Sequence, residues 1–192
     1  MTSALNIIGS IILFGIFMIA IISLDGNVSS TSHQTSFEKG AQENIVALAE
    51  LFDHDFLKIG HRKPAPKLKP GVTDSVRITW YSDIDNNGTM DSVFYYLADK
   101  EYNSPNPNTR ILYRKINNAN PSIVNHQIVS FNLSYYDSSM TQINYNNLNN
   151  ITGINKVCAI KIRVRVESQY KIEKDYASTF WEKTYRPRSL TL

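Results

Sequence analysis

The chain has 192 residues, enough for one membrane-spanning segment and one domain with a substantial hydrophobic core. Its net charge of +3 is spread along the chain without a long basic block or an aromatic-basic motif, which argues against nucleic-acid binding. The single cysteine, Cys158, excludes an internal disulfide and a Cys-rich zinc site. Because Cys158 lies in an alternating strand pattern, we expect a small buried apolar side chain there.

The first element is an uncharged apolar segment from Leu5 to Leu24, and its clearly polar side chains are Asn6, Ser10 and Ser23. Twenty helical residues span roughly the 30 Å of a bilayer core. The alternative is a cleaved secretory signal, but Met1–Asn6 contains no Lys or Arg and Ser23–Asp25 is a poor cleavage site. We therefore expect an uncleaved membrane anchor, with the C-terminal part exported.

The polar stretch from Asp25 to Thr35 is predicted to fray or interrupt the helix, and Thr35 or Ser36 is predicted to cap a second one. This second helix is expected to end at Gly60. Its apolar stripe is Phe37, Ala41, Ile45, Leu48, Phe52, Phe56 and Ile59, widened by Ala47 and Leu51. The predicted segments are residues 1–35 for the membrane helix and polar junction, 36–60 for the amphipathic helix and 61–192 for the remaining domain.

Three consecutive polar residues, Asp53, His54 and Asp55, could be read as a metal or acid–base cluster. Neighbouring side chains on a helix point about 100° apart, so these three cannot converge on one ion. A solvated helix surface is the preferred interpretation.

Period-two alternation predicts six strands after a Pro-rich linker. Their approximate ranges are Ser75–Trp80, Val93–Leu97, Ile111–Ile116, Ile123–Tyr136, Cys158–Val166 and Ser178–Tyr185. Short connections favour an antiparallel sheet, and one face of such a sheet needs a cover. The amphipathic helix supplies it, so the predicted fold class is α+β, with a long N-terminal helix packed on an antiparallel sheet.

An Asp-rich turn, Ser82–Asp91, separates the first two predicted strands. Its oxygen-bearing residues Asp83, Asp85, Asn87 and Asp91 occupy positions 1, 3, 5 and 9 of a calcium loop, and the Thr89 carbonyl falls at position 7. Gly88 is at the sharp-turn position, but position 12 is Phe94 rather than the usual Glu. Two interpretations remain open: a calcium site, or a tight hairpin turn.

The sequence contains no nucleophile elbow, phosphate loop or paired-His motif, and its four histidines are scattered. We therefore expect a protein without enzymatic activity.

The order of these features resembles the type IV pilin-like superfamily, in particular minor pilins and the pseudopilins of type II secretion. The stretches that carry the resemblance are Ala49–Gly60, Tyr81–Gly88 followed by Val93–Leu97, Leu112–Lys115, Val129–Phe131 with Tyr135–Asp137, and Pro187–Leu190. The N-terminal segment departs from the family pattern, because it has no basic leader and its apolar stretch contains no Glu.

The resemblance implies a structural subunit of a bacterial pilus-like filament or of a type II secretion apparatus. Its partners would be other pilin-like subunits, bound through the apolar helix, in the membrane or in an extracellular filament. The alternative is a membrane-anchored extracytoplasmic binding module with a calcium-stabilised loop. An anchored periplasmic enzyme is the third hypothesis.

Overall fold

The computed structural model describes residues 2–64, 66–100, 104–172 and 174–191. Within these ranges a long N-terminal helix precedes a six-stranded antiparallel sheet, which confirms the predicted α+β class. Met1 and Leu192, the outer ends of the first and last predicted segments, lie outside the described residues.

The first helix, α1, runs from Thr2 to Leu57 without a break, so the predicted interruption within Asp25–Thr35 is wrong. The hydroxyls of Thr35 and Ser36 do not cap a new helix, because they donate to the carbonyls of Thr31 and Ser32, each at 2.9 Å. Hydroxyl groups that bond back to the preceding turn are compatible with a helix interior. At 1.5 Å per residue, α1 is roughly 84 Å long.

The N-terminal part of α1 carries an apolar surface that the other described residues do not cover. Asn6–Gly26 is long and apolar enough to cross a membrane, and none of it is buried. A secretory signal sequence can have the same length and apolar composition. Some ten residues, or roughly 15 Å of helix, separate this segment from Phe37, whose ring lies 6.4 Å from that of Tyr170.

The C-terminal part of α1 packs against the sheet through the predicted stripe. Its buried members are Ala41, Ile45, Leu48, Phe52, Phe56 and Ile59. Phe37 is half-buried, and Ala47, predicted to widen the stripe, is exposed. The helix ends in a turn at Gly60, whose φ of +71° is in the left-handed region that favours glycine.

All six predicted strands are present. They are β1 (Arg77–Ser82), β2 (Asp91–Lys100), β3 (Arg110–Ile116), β4 (Ser122–Tyr136), β5 (Ala159–Ile172) and β6 (Asp175–Tyr185). The strands pair in chain order, each antiparallel to the next. β4 pairs with β3 up to Ile128 and with β5 from there on, while the Leu133 N–H donates to the Ser75 carbonyl at 2.8 Å. α1 lies over β4, β5 and β6.

The connection between β4 and β5 contains a 3-10 turn, Tyr145–Asn149, and a short helix α2, Ile151–Ile154, which the sequence pattern did not predict. The side chain of Asn150 caps α2 by accepting from the Gly153 N–H at 2.7 Å. Cys158 lies just before β5 and is only half-buried, so its predicted place as a buried strand residue is wrong.

An aromatic cluster joins the end of α1 to the sheet. Phe52 and Phe56 are fully buried, and their rings lie 4.9–6.0 Å from those of Trp80, Tyr95, Phe131, Trp181 and Tyr185. Such ring pairs add roughly 0.5–1.5 kcal/mol each beyond the burial of their area. This cluster fixes the end of α1 beside the Asp-rich loop that follows β1.

Candidate functional site

The Asp-rich loop connects β1 to β2 and draws three carboxylates together. One carboxylate oxygen each from Asp83, Asp85 and Asp91 lies within 4.8 Å of the others, a spacing that one metal ion could bridge. Asp83 is fully buried, Asp91 is almost so, and Asp85 is exposed. The two strand ends hold Asp83 and Asp91 in place, because Ser82 pairs with Asp91 in the ladder.

Asp83 is the best-anchored carboxylate of the loop. Its Oδ2 accepts from Arg62 Nη1 at 2.8 Å and from the Gly88 N–H at 3.1 Å. Its Oδ1 is buried and has no hydrogen-bond partner. Burial acts to raise the pKa of this carboxyl, but the Gly88 amide and the Arg62 guanidinium outweigh it, so the pKa lies below its ordinary 3.8.

The tip of the loop is stabilised by its own side chains. The Asn87 N–H and amide donate to the two Asp85 oxygens at 3.1 and 2.7 Å, and Asn87 Oδ1 accepts from the N–H and the hydroxyl of Thr89. Gly88, at the predicted sharp turn, has a φ of +88°. Asn87 and Thr89 therefore lie beside Asp85, and they remain predicted ligands.

Asp91 connects the loop to the turn after β3. Its Oδ2 accepts from the Ile84 N–H at 3.1 Å, and its Oδ1 accepts from Asn117 Nδ2 at 2.7 Å. Asn117 has a φ of +52° and also binds the backbone of Ser92. Sequence reasoning missed Asn117, although it begins the Asn-rich stretch Asn117–Asn120, and Asn is one of the residues that adopt the left-handed conformation of turns.

Asp55 is the clearest departure from the sequence prediction. Rather than forming a solvated helix surface, its side chain is fully buried and accepts from Arg114 Nε at 2.6 Å, from Arg114 Nη2 at 3.0 Å and from the Tyr95 hydroxyl at 2.7 Å. Burial, followed by the Asp55 charge, raises the pKa of Tyr95 well above its ordinary 10.0. His54 Nδ1 lies 3.0 Å from Asp55 Oδ1, so two of the three consecutive polar residues are in contact.

Asp53 forms a separate, more exposed contact with β6. Its carboxylate accepts from Lys183 Nζ at 2.6 and 2.8 Å and from the Tyr185 hydroxyl at 2.6 Å. The hydrogen bond from Lys183, then that from Tyr185, lowers the pKa of Asp53 below its ordinary 3.8. Asp53 and Asp55 therefore both attach α1 to the sheet.

A basic cleft lies beside the end of α1, with a volume of about 590 Å³. Its cationic lining residues are Arg62, Lys63, Lys67 and Arg188. Arg62 thus faces both this cleft and Asp83 of the loop.

Comparison of the chain with protein-family models finds no match, and neither does comparison with curated proteins.

Proposed function

We propose that the chain is a non-enzymatic structural subunit of a bacterial pilus-like filament or type II secretion apparatus, of the minor pilin or pseudopilin kind. The observation that carries the proposal is α1: one helix of 56 residues, apolar and uncovered at its N-terminal end and packed on a sheet at the other. In this proposal the exposed end resides in the inner membrane and then packs against like helices when the filament forms.

The physical reason is that an uncovered apolar surface this long needs an apolar environment. Its large side chains, such as Ile12 and Phe14, are 57% and 61% exposed. Lipid satisfies this surface in the membrane, and neighbouring helices satisfy it in a filament core. The domain then faces outward, and no covalent chemistry is required of it.

The test introduces a charge into the exposed end. We expect Ile12→Asp to abolish recovery of the protein in sheared filaments while leaving the domain folded. Ile151→Asp is the matched control, because Ile151 in α2 has the same 57% exposure as Ile12 but lies in the domain. Wild-type protein found only in membranes, and never with filaments or an assembly apparatus, would overturn the proposal.

A second candidate function is an anchored extracytoplasmic binding module whose loop is stabilised by calcium. The cluster of three carboxylates, together with the partnerless buried Oδ1 of Asp83, favours a hard cation with oxygen ligands. The proposed ligands are Asp83, Asp85, Asn87, Asp91 and the Thr89 carbonyl.

The calcium proposal has its own test. We expect calcium to raise the melting temperature of the full chain in detergent and a chelator to reverse the rise, since an ion that binds only the folded state stabilises it. Asp83→Asn should remove the response, whereas Asp99→Asn, at an exposed position outside the loop, should retain it. A wild-type melting temperature that changes with neither calcium nor chelator would exclude the proposed calcium site.

A further inference from the structure

Arg62 is placed beside the loop by the end of α1. It follows the Gly60 turn and has a φ of +59°, a conformation that non-glycine residues adopt only where their surroundings hold them. The backbone around it is joined to the β1 end, because the Gly60 N–H donates to the Tyr81 carbonyl at 3.1 Å and the Asp83 N–H donates to the His61 carbonyl at 3.3 Å. These main-chain contacts therefore fix the backbone of Arg62 relative to Asp83, while its side chain remains free to turn.

The carboxylates of the loop outnumber the cations that contact it, since Lys58 Nζ donates to the Ile84 carbonyl at 2.7 Å and to none of the three carboxylates among the described contacts. Asp83, Asp85 and Asp91 bring three negative charges together, and among the described residues Arg62 is the cation that pairs with them. The other donors to these carboxylates are backbone amides and the neutral side chains of Asn87 and Asn117. Like-charge repulsion in such a cluster favours any cation that can reach it.

We propose that Arg62 is a tethered cation that competes with calcium for Asp83, holding the loop when the metal is absent and leaving it when the metal binds. This inference rests on the calcium site proposed above. A calcium ion on Asp83 Oδ1 would lie roughly 5 Å from a guanidinium on Oδ2 of the same carboxylate, so each cation weakens binding of the other. By linkage, the free energy by which the Arg62 contact weakens calcium binding equals the free energy by which bound calcium weakens the Arg62 contact.

Solvent and the adjacent cleft can accommodate the Arg62 guanidinium once it leaves Asp83. The Arg62 side chain is already 55% exposed, whereas Asp83 is fully buried, and the cleft of about 590 Å³ lies alongside. Arg62 can therefore leave Asp83 without disturbing β1 or β2. Its departure makes the cleft, which Lys63, Lys67 and Arg188 also line, more positive.

The test is calcium titration calorimetry on the full chain in detergent, comparing wild type with Arg62→Gln. Gln keeps a hydrogen-bonding side chain without the charge, so we expect calcium affinity to rise at least tenfold. Lys63→Gln is the matched control, since Lys63 lines the same cleft but lies over the Tyr81 ring and pairs with none of the three carboxylates. We expect its calcium affinity to stay within threefold of wild type.

The outcomes separate the two proposals. Equal or weaker calcium binding by Arg62→Gln, with wild type binding normally, overturns the role of Arg62 and leaves the calcium site standing. Failure of both proteins to bind overturns both. If Arg62→Gln does not fold, the Arg62 side-chain NMR signal of the wild type decides: calcium should shift it toward a solvent-exposed guanidinium, and an unchanged signal overturns the inference.

Discussion

The Asp55 carboxylate on the last turn of α1 accepts from Arg114 Nε on β3 at 2.6 Å, across 59 positions of the sequence. Asp55 is fully buried, and the Arg114 side chain is 19% exposed. The Tyr95 hydroxyl on β2 donates to the same Asp55 oxygen. One carboxylate therefore attaches the distal end of the long helix to two neighbouring strands.

Asp55→Asn should destabilise the domain strongly. The substitution leaves the Arg114 charge in a mostly buried place without a counter-charge, which costs about 3 kcal/mol. The measurement is chemical denaturation of the full chain in detergent, followed by the fluorescence of Trp80 and Trp181, which both pack in the adjacent aromatic cluster.

Asp53→Asn is the matched control for this prediction. Asp53 binds Lys183, but both side chains are more than 40% exposed, so the pair is screened by solvent and its loss should cost less than about 1 kcal/mol. Equal losses of stability in the two variants would contradict the assignment of Asp55 as the buried attachment point.

Much of the fold could be predicted because it follows from local periodicity. The stripe from Ala41 to Ile59 and the alternation of Ile160, Ile162, Val164 and Val166 both mark faces that the structure buries. The continuity of α1 could not be predicted, because Ser and Thr locally favour helix caps. Only the hydrogen bonds from the Thr35 and Ser36 hydroxyls to carbonyls four residues earlier reveal a helix interior. Ser and Thr hydroxyls can bond to the main chain either in a helix cap or in a helix interior, and the sequence alone does not determine which structure forms.

In the candidate site, too, features that are local in sequence could be predicted and contacts between distant residues could not. The Asp83, Asp85 and Asp91 cluster is local in sequence, so its spacing predicted it. The contacts of Arg62 and Asn117 with the loop join residues 21 and 26 positions apart, and these depend on how α1 and β3 are placed. Asp55 was misjudged for the same reason: it lies on the apolar stripe, three residues after Phe52 and four before Ile59, but only the sheet supplies the Arg114 that allows a carboxylate to be buried there.

The tyrosines should give the domain a marked alkaline transition. Burial raises the pKa of Tyr95 and Tyr135 well above the ordinary 10.0, and burial together with the Asp53 hydrogen bond raises that of Tyr185. A raised folded-state pKa contributes stability that is complete below pH 10.0 and is lost as the pH climbs toward the folded values. Above that pH, unfolding releases protons that the folded state retains.

The measurement is the ultraviolet absorbance of tyrosinate against pH, recorded together with tryptophan fluorescence. We expect a late group, Tyr95, Tyr135 and Tyr185, to ionise only as the fluorescence reports unfolding. Tyr185→Phe should shrink the late group. Ionisation of all 11 tyrosines in one step, with the fluorescence unchanged, would contradict the prediction.

Gly153→Ala should disrupt the connection between β4 and β5. A Cβ at Gly153 would lie 1.8 Å from the Asn147 carbonyl oxygen, a main-chain atom that cannot move without displacing the 3-10 turn. We expect a loss of about 2 kcal/mol or more in chemical denaturation. Gly40→Ala is the control: Gly40 lies within α1 with nothing within 4 Å of the added methyl, so helix propensity should yield a gain of roughly 0.5–1 kcal/mol. Equal effects in the two variants would refute the close approach at Gly153.

Ser32→Pro tests whether the unbroken helix matters for assembly. Proline removes a main-chain hydrogen bond within the preceding turn, which should kink α1 between the exposed apolar segment and the domain. Spin labels at Val28 and Glu43, in a Cys158→Ser background, should report a Cα separation of about 22 Å in the straight helix. We expect a shorter or broader distribution in Ser32→Pro and an unchanged one in Ser32→Ala.

The domain itself should melt as in wild type, because the described packing of α1 on the sheet begins at Phe37, beyond the kink. In the proposed filament, incorporation should fall sharply in Ser32→Pro alone, since a bent helix cannot place both the apolar segment and the domain against the neighbouring subunits that the proposal requires. A Ser32→Pro protein that shows the kink but assembles normally would contradict this coupling, and would assign assembly to the apolar segment without help from the rigid junction.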